Sequence, residues 1–348
     1  MVTTIIITII IMSIFIYAIS LQAMNSLLKT DGKAFNIEHF FARLALRTFM
    51  DFSVGTDYVK DQKREEYICK AVAQGSWAMG RMITMNLPMW DIFPLVQDIK
   101  HVRKSIWEDM KPVLEERRAA LERGEMTDVD DCLSAMINEK MSNDDVIDHM
   151  VTLICAGHDT TAFFSAYLCM LLAQHPACQE TLRAEINTVL GTRVEINADD
   201  VTAMKYLQKV MQETLRLYAI IPCVTRLASE EVYIKEADIT IPKGANTLVP
   251  MFLINRDPEL WEKPSEFNPD RFSGQGNEFT SAKSGFFPFG YGARTCIGNT
   301  FAQMESAVFI CQILRKYRLM QDPGFKPNIF AGISLTTSNG INVILKDL

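Results

Sequence analysis

The run Phe289-Gly290-Tyr291-Gly292-Ala293-Arg294-Thr295-Cys296-Ile297-Gly298 sets three glycines and a single cysteine immediately before an apolar stretch, 299–317, with helical character. A loop of this kind can hold one thiolate to a metal cofactor. Glycines at 290 and 292 let the backbone fold tightly beneath a flat ligand, and Gly298 lets the next helix approach it closely. Arg294 offers a fixed cation for an acidic group on that ligand. The dipole at the start of the following helix suits a negatively charged sulfur.

Composition bounds the rest. With 348 residues, 48% hydrophobic, the chain can bury one large core or two smaller ones. A net charge of -7 argues against a general nucleic-acid binder, which carries a basic footprint. The eight cysteines include no C-x-x-C pair, which excludes zinc ribbons and thioredoxin-type redox motifs. Their lack of disulfide-like clustering points to the cytosol or a cytosol-facing surface. The first charged residue is Lys29, so residues 1–28 form an uncharged stretch long enough to span a bilayer core. It lacks the basic start and small-residue cleavage site of a secretory signal. The expected division is a candidate membrane segment at 1–28 and one domain at 29–348.

Beyond Lys29 the pattern is mainly helical with a few short strands, a mainly α (α+β) class. Apolar residues recur at helical spacing over 37–52, and a charged amphipathic stretch covers 95–123 with an interruption at Pro112 and a stop at Gly124. A polar connector with a short helix occupies 125–140. Ser142, with Asp145 three positions on, caps a long apolar helix that runs to about His175, ahead of Pro176. Further helices are expected at 179–190 and 204–218, and strands at 232–234, 239–241 and 342–345.

The cysteine loop spells F-x-x-G-x-R-x-C-x-G and resembles, at all five fixed positions, the haem-binding signature of the cytochrome P450 superfamily. Three further segments are similar to that family's motifs and occur in its order. Ala156-Gly157-His158-Asp159-Thr160-Thr161 looks like the oxygen-activation segment, Glu213-Thr214-Leu215-Arg216 like E-x-x-R, and Asn268-Pro269-Asp270-Arg271-Phe272 like P-x-R-F. The resemblance runs from about Asp31 to Leu348 and implies a haem-thiolate monooxygenase carrying haem b.

Residue by residue, the resemblance implies that Cys296 is the axial iron ligand and that Phe289, Gly290, Arg294 and Gly298 shape its loop. Arg226 stands where the family often contacts a haem propionate, and Ala219 replaces a proline often found after the E-x-x-R helix. Ala156 and Gly157 leave room above the haem through missing bulk and a local opening of the helix, Thr160 supplies an alcohol, and Asp159 relays protons to it. His158, a lone helical histidine, reads as structural. Glu213, Arg216 and Arg271 meet in a buried cluster behind the cysteine loop, a structural and haem-retaining role. Phe163, Val224, Thr225 and 333–335 are candidate cavity walls, each equally readable as plain core.

The front of the chain departs from the family. Helices and strands that normally precede the region matching Asp31, including a W-x-x-x-R haem contact, have no counterpart, so a truncated, haem-pocket-incomplete chain is expected. Trp77 and Arg81 spell W-x-x-x-R inside the later region and read as coincidence. The implied reaction inserts one oxygen atom from O2 into a hydrophobic small molecule, a lipid, sterol or xenobiotic, with electrons from a separate reductase. The implied setting is a membrane, the endoplasmic reticulum with the catalytic domain facing the cytosol. Alternatives are a haem-thiolate isomerase or dehydratase, against which Asp159 and Thr160 argue, and an inactive haem-binding fragment.

Overall fold

A computed structural model describes residues 32–54, 62–84, 94–125, 131–273 and 285–348, with Ile16 alone before residue 32. Its first half runs β1 (Ala34–Asn36), α1 (Ile37–Val54), α2 (Gln62–Thr84), α3 (Pro94–Glu122), α4 (Cys132–Asn138), α5 (Asn143–Gln174), α6 (Pro176–Leu190), α7 (Ala198–Ala203) and α8 (Lys205–Leu217). Strands β2 (Val224–Leu227), β3 (Val232–Ile234), β4 (Ile239–Ile241) and β5 (Asn246–Val249) follow, then the short helix α9 (Met251–Ile254). The chain closes with α10 (Asn299–Lys316), β6 (Tyr317–Gln321), β7 (Ile329–Ala331), β8 (Leu335–Thr337) and β9 (Asn342–Asp347). The mainly α class with small sheets is borne out. The candidate membrane segment, 1–28, lies outside the described residues apart from Ile16, and no described helix is long and apolar enough to cross a membrane.

Two helices organise the interior. Ser142 starts α5 as expected: its hydroxyl accepts the Asp145 N–H at 3.2 Å, and Asp144 and Asp145 complement the helix dipole. From Phe164 to Ala173 every α5 residue is buried, and the same holds for α10 from Met304 to Leu314. A helix apolar on all sides belongs at the centre of a core. Small residues let the two approach, with Ser165 Oγ 3.1 Å from Ser306 Oγ. Around them α6, α8 and the sheet build the larger core, in which Phe41 stacks on Phe309 with centroids 5.7 Å apart. A second core joins α1, α2, α3 and α4 to the first half of α5. Phe301, on α10, touches both, meeting Phe49 of α1 edge-on and Phe52 at a tilt.

Buried charge ties the second core together. Glu65 of α2 is fully buried between Arg43 and Arg47 of α1, with an Arg43 Nε to Oε1 distance of 2.7 Å. Arg117 of α3 reaches Asp131 and Ser134 at the start of α4 and the Val54 carbonyl at the end of α1. Among the described residues all sheets are antiparallel, with β1-β9-β6 as the three-stranded one and β2-β5, β3-β4 and β7-β8 as two-stranded ribbons.

Two expectations change. Pro112 does not interrupt α3, which continues through it from Pro94 to Glu122. The residue is exposed, so the carbonyl it leaves unpaired one turn back can meet water. The whole of α2 has no counterpart in the sequence reading, because its glycines and small residues blur the apolar stripe. Gly75 is there for packing: a Cβ on it would sit 2.7 Å from Val102 Cγ2 of α3.

Candidate functional site

The cysteine loop is built by its glycines. Gly290 and Gly292 adopt φ of 79° and 74°, values that only glycine takes without strain. The turn they make lets the Cys296 N–H donate to the Phe289 carbonyl at 2.8 Å, while the Thr295 N–H and hydroxyl both return to Gly292 O. Gly298 caps α10, and a Cβ on it would lie 3.9 Å from Cys296 Sγ. The result is an exposed thiol flanked by exposed Ile297, 89%, and Tyr291, 65%, at the foot of a buried helix.

Behind the loop, the three residues expected to cluster are brought together. Arg216 lies against Glu213 with Nε to Oε2 2.7 Å and Nη2 to Oε1 2.9 Å, both side chains fully buried. Arg271 Nε reaches Glu213 Oε1 at 3.0 Å, and the Asn268 N–H adds a further donor at 2.8 Å. Arg216 also donates to the carbonyls of Asn255, Pro264 and Glu266 and stacks over Trp261, 5.2 Å from its centroid. Glu213 is the hub that joins α8 to the 255–271 segment leading toward the loop.

On α5 the expected distal residues differ in exposure and in the helix they meet. Ala156 is exposed and Thr160 half-buried, and the Thr160 hydroxyl donates to Ala156 O at 2.7 Å. The expected local opening of the helix does not occur: α5 is continuous from Asn143 to Gln174. Gly157 faces inward instead of over open space, since a Cβ there would meet Phe49 Cδ2 of α1 at 3.0 Å. Its missing bulk serves the close packing of α1 on α5. Asp159 is buried and accepts from Ser76 Oγ of α2 at 2.7 Å.

Ser76, Glu38 and Glu305 are site-adjacent residues that the sequence did not announce. Glu305 of α10 is fully buried, and burial holds its carboxyl well above the usual carboxylate range against Thr48, His158 and Thr161. Glu38, in the first turn of α1, accepts the Thr337 hydroxyl on Oε2 at 2.7 Å. Burial raises its carboxyl, the Thr337 bond lowers it, and the Asp159 charge raises it again, to about 7 from an ordinary 4.5.

Because the folded value is the higher, the folded state disfavours the Glu38 carboxylate, and stability falls as pH rises from 4.5 toward about 7. A shift of this size corresponds to about 3 kcal/mol at most. Glu38→Gln keeps an acceptor for Thr337 and cannot ionise. It is expected to exceed the parent by about 2 kcal/mol at about pH 8 and by nothing at about pH 4, read from urea unfolding. Equal gains at both pH values dismiss Glu38 as a titrating group.

Of the candidate cavity walls, Phe163 is half-buried against the larger core, Val224 and Thr225 lie on β2, and Ile333 is exposed beside buried Ser334 and Leu335. A cleft of about 450 Å³ lies elsewhere, between Leu171, His175, Tyr218, Arg256 and Phe267, and none of the expected walls line it. Arg226 is exposed on β2, and its guanidinium donates to the Thr225 carbonyl. Trp77 and Arg81 stack on one face of α2, 5.6 Å apart, with Trp77 exposed.

No three His, Cys, Asp or Glu side chains gather to hold a metal ion among the described residues. The exposed Cys296 thiol, its apolar flanks and the exposed Arg294 on the same loop instead fit a flat metal macrocycle with acidic arms and a single protein ligand. A mainly helical fold presenting such a loop is the frame of a cysteine-ligated haem protein. The family model of cytochrome P450 matches residues 12–344, and the chain belongs to that family, whose proteins carry haem b. It is 33% identical over 264 residues to a cytokinin hydroxylase of Arabidopsis thaliana, 72% of this chain and 50% of that protein. To cytochrome P450 4A14 of Rattus norvegicus it is 33% identical over 210 residues, 60% of this chain and 41% of the relative. To cytochrome P450 72A68 of Medicago truncatula it is 27% identical over 315 residues, 85% and 59%. The chain spans about half the length of the curated relatives it matches.

Proposed function

We propose that this chain carries the haem-binding and proton-delivering parts of a monooxygenase that inserts one oxygen atom from O2 into a hydrophobic small molecule. The observation that carries this reading is the exposed Cys296 thiol on its glycine loop, joined through α10 to the α5 helix that bears Asp159 and Thr160. The printed name of the Arabidopsis relative, a hydroxylase, supports the reaction type. Bound haem supplies oxygen binding, O–O cleavage and attack on a C–H bond, and a thiolate ligand favours that cleavage.

In this reading Cys296 is the one metal ligand, and Phe289, Gly290 and Gly298 set the shape of its loop. Arg294 and Arg226 neutralise acidic groups on the cofactor. Glu213, Arg216 and Arg271 hold the segment behind the loop in place. The exposed Ala156 face leaves room beside Thr160, whose hydroxyl proton is handed over there and replaced from solvent through Asp159, general acid catalysis by a short polar chain. Electrons come from a separate reductase, and the substrate is a lipid, sterol or xenobiotic.

Thr160→Ala tests the proton path. Haem content stays at the parent level, while product formed per electron pair drops several-fold and hydrogen peroxide release rises by the same share. Unchanged coupling removes Thr160 from the mechanism, and turnover that does not depend on reductase removes the monooxygenase reading altogether.

Membrane association rests on residues 1–28, uncharged throughout, and the proposed site is the endoplasmic reticulum with the catalytic domain in the cytosol. Alkaline carbonate extraction is expected to leave the chain in the membrane pellet and to release a variant lacking 1–28. Release of the undeleted chain rejects the anchor.

A further inference from the structure

The β7–β8 ribbon turns through 332–334, so Ile333, a candidate cavity wall, stands at its tip, 38% exposed. Two positions apart on β8, Leu335 and Thr337 share a face of the strand. Leu335 is fixed by its backbone. Its N–H donates to the Ile220 carbonyl at 2.7 Å, and its own carbonyl accepts the Tyr167 hydroxyl of α5 at 3.2 Å. Tyr167 is fully buried and stacks on Tyr218, with ring centroids 4.3 Å apart and planes 6° from parallel, so this anchor is stiff.

The second anchor comes from the other end of the chain. Thr337 Oγ1 donates to Glu38 Oε2 at 2.7 Å across 299 positions. Glu38 stands on a firm base. The Asn36 side chain accepts the His39 N–H at 3.0 Å, the Ile37 N–H goes to Ile341 O at 2.9 Å, and β1 pairs with β9 directly before the helix starts. The tip itself leans on α2, where a Cβ on Gly80 would come within 2.8 Å of Ile333 N and 3.0 Å of Gly332 Cα. That close approach leaves the tip no slack toward α2.

We propose that Glu38 is a positioning residue for substrate: by holding Thr337 it fixes where the 332–334 tip stands, and so sets how tightly the hydrophobic substrate binds. This rests on the reading of 333–335 as a wall of the substrate cavity. Leverage is why one hydrogen bond matters. Leu335 is the pivot, with the tip on one side and Thr337 on the other, and an arm held at a single point can swing. A wall already fixed before binding spares the substrate the entropy of ordering it. The ionisable groups that act on Glu38 include Asp159 and Tyr167 of α5, so all variants are compared at one pH.

The first readout needs no haem. Hydrogen–deuterium exchange of the full chain follows the Gly332 and Leu335 amides, which donate to Ser334 O and Ile220 O. Both are expected to exchange about tenfold faster in Glu38→Ala and in Thr337→Val, with the amides of α5 unchanged and with Glu38→Gln and Thr337→Ser near the parent. The double variant is expected to match either single one, because both remove the same bond. Unchanged exchange, effects that add, or acceleration throughout the chain overturns the anchor.

The second readout uses the haem-loaded chain and two probes that bind iron, imidazole and phenylimidazole, followed by their absorption shifts. Imidazole reports the iron site alone, and the added phenyl ring reports the wall. Glu38→Ala, Thr337→Val and Gly80→Ala, which crowds the tip from α2, are each expected to weaken phenylimidazole about fivefold and to leave imidazole unchanged. Equal weakening of both probes marks a loosened site and overturns the positioning role. A parent chain that binds phenylimidazole no better than imidazole rejects the wall reading and the substrate role with it, while faster exchange in the same variants still upholds the anchor.

Discussion

Glu213→Ala is expected to cost about 3–5 kcal/mol, enough to remove a third or more of the stability of an ordinary domain. The reason is asymmetry. Removing the carboxylate leaves the Arg216 guanidinium fully buried without a counter-charge, held only by backbone carbonyls and the Trp261 ring, and it withdraws the acceptor of both Arg271 Nε and the Asn268 N–H. The 255–271 segment loses its bonds to Glu213 and keeps those that Arg216 and Lys209 make to it, so the loss extends to the seat of the cysteine loop. Urea unfolding of the parent and the variant measures it. A difference below about 1 kcal/mol, the value of a surface pair, shows that the cluster contributes little.

Cys296→Ser carries the largest expected effect on chemistry. Haem-reconstituted parent protein is expected to show the red-shifted ferrous-carbonyl band of thiolate ligation, and the serine variant to lose it. Monooxygenation falls with it by about a hundredfold or more, because the hydroxyl that replaces the thiol donates far less electron density. The fold is expected to tolerate the change: Cys296 is exposed, and the bond that shapes its turn comes from its backbone N–H. A serine variant that keeps the band assigns the ligand to another residue.

Local signals explain what the sequence made legible. The cap at Ser142, the glycines at 290 and 292 and the short alternating runs at 232–234 and 239–241 are each decided within a few residues, and each element lies where its signal placed it. Glu213 and Arg216 were readable because three positions on a helix share a face. Arg271 was readable only through the family resemblance. Ser76 carried no signal, since nothing in a serine 83 positions from an aspartate marks the pair until α2 crosses α5. Gly157 shows the opposite failure: its lack of a side chain was visible, but whether the space belongs to a ligand or to Phe49 is decided by the packing of another helix.

The β1-β9-β6 sheet has a consequence for how the molecule is made. Its middle strand, β9, is the last synthesised of the nine described, yet it pairs Ile344 with Ala34, and Ile341, just before it, accepts the N–H of Ile37 that opens α1. A nascent chain can wind its helices as they emerge, but the edge beside α1 has no partner to join until 342–347 have cleared the ribosome. Contacts between the two ends of a chain are the slowest to form, and unpaired edges invite wrong partners while they wait. Emergence of 342–347, and not that of any one helix, is the moment at which this sheet can close.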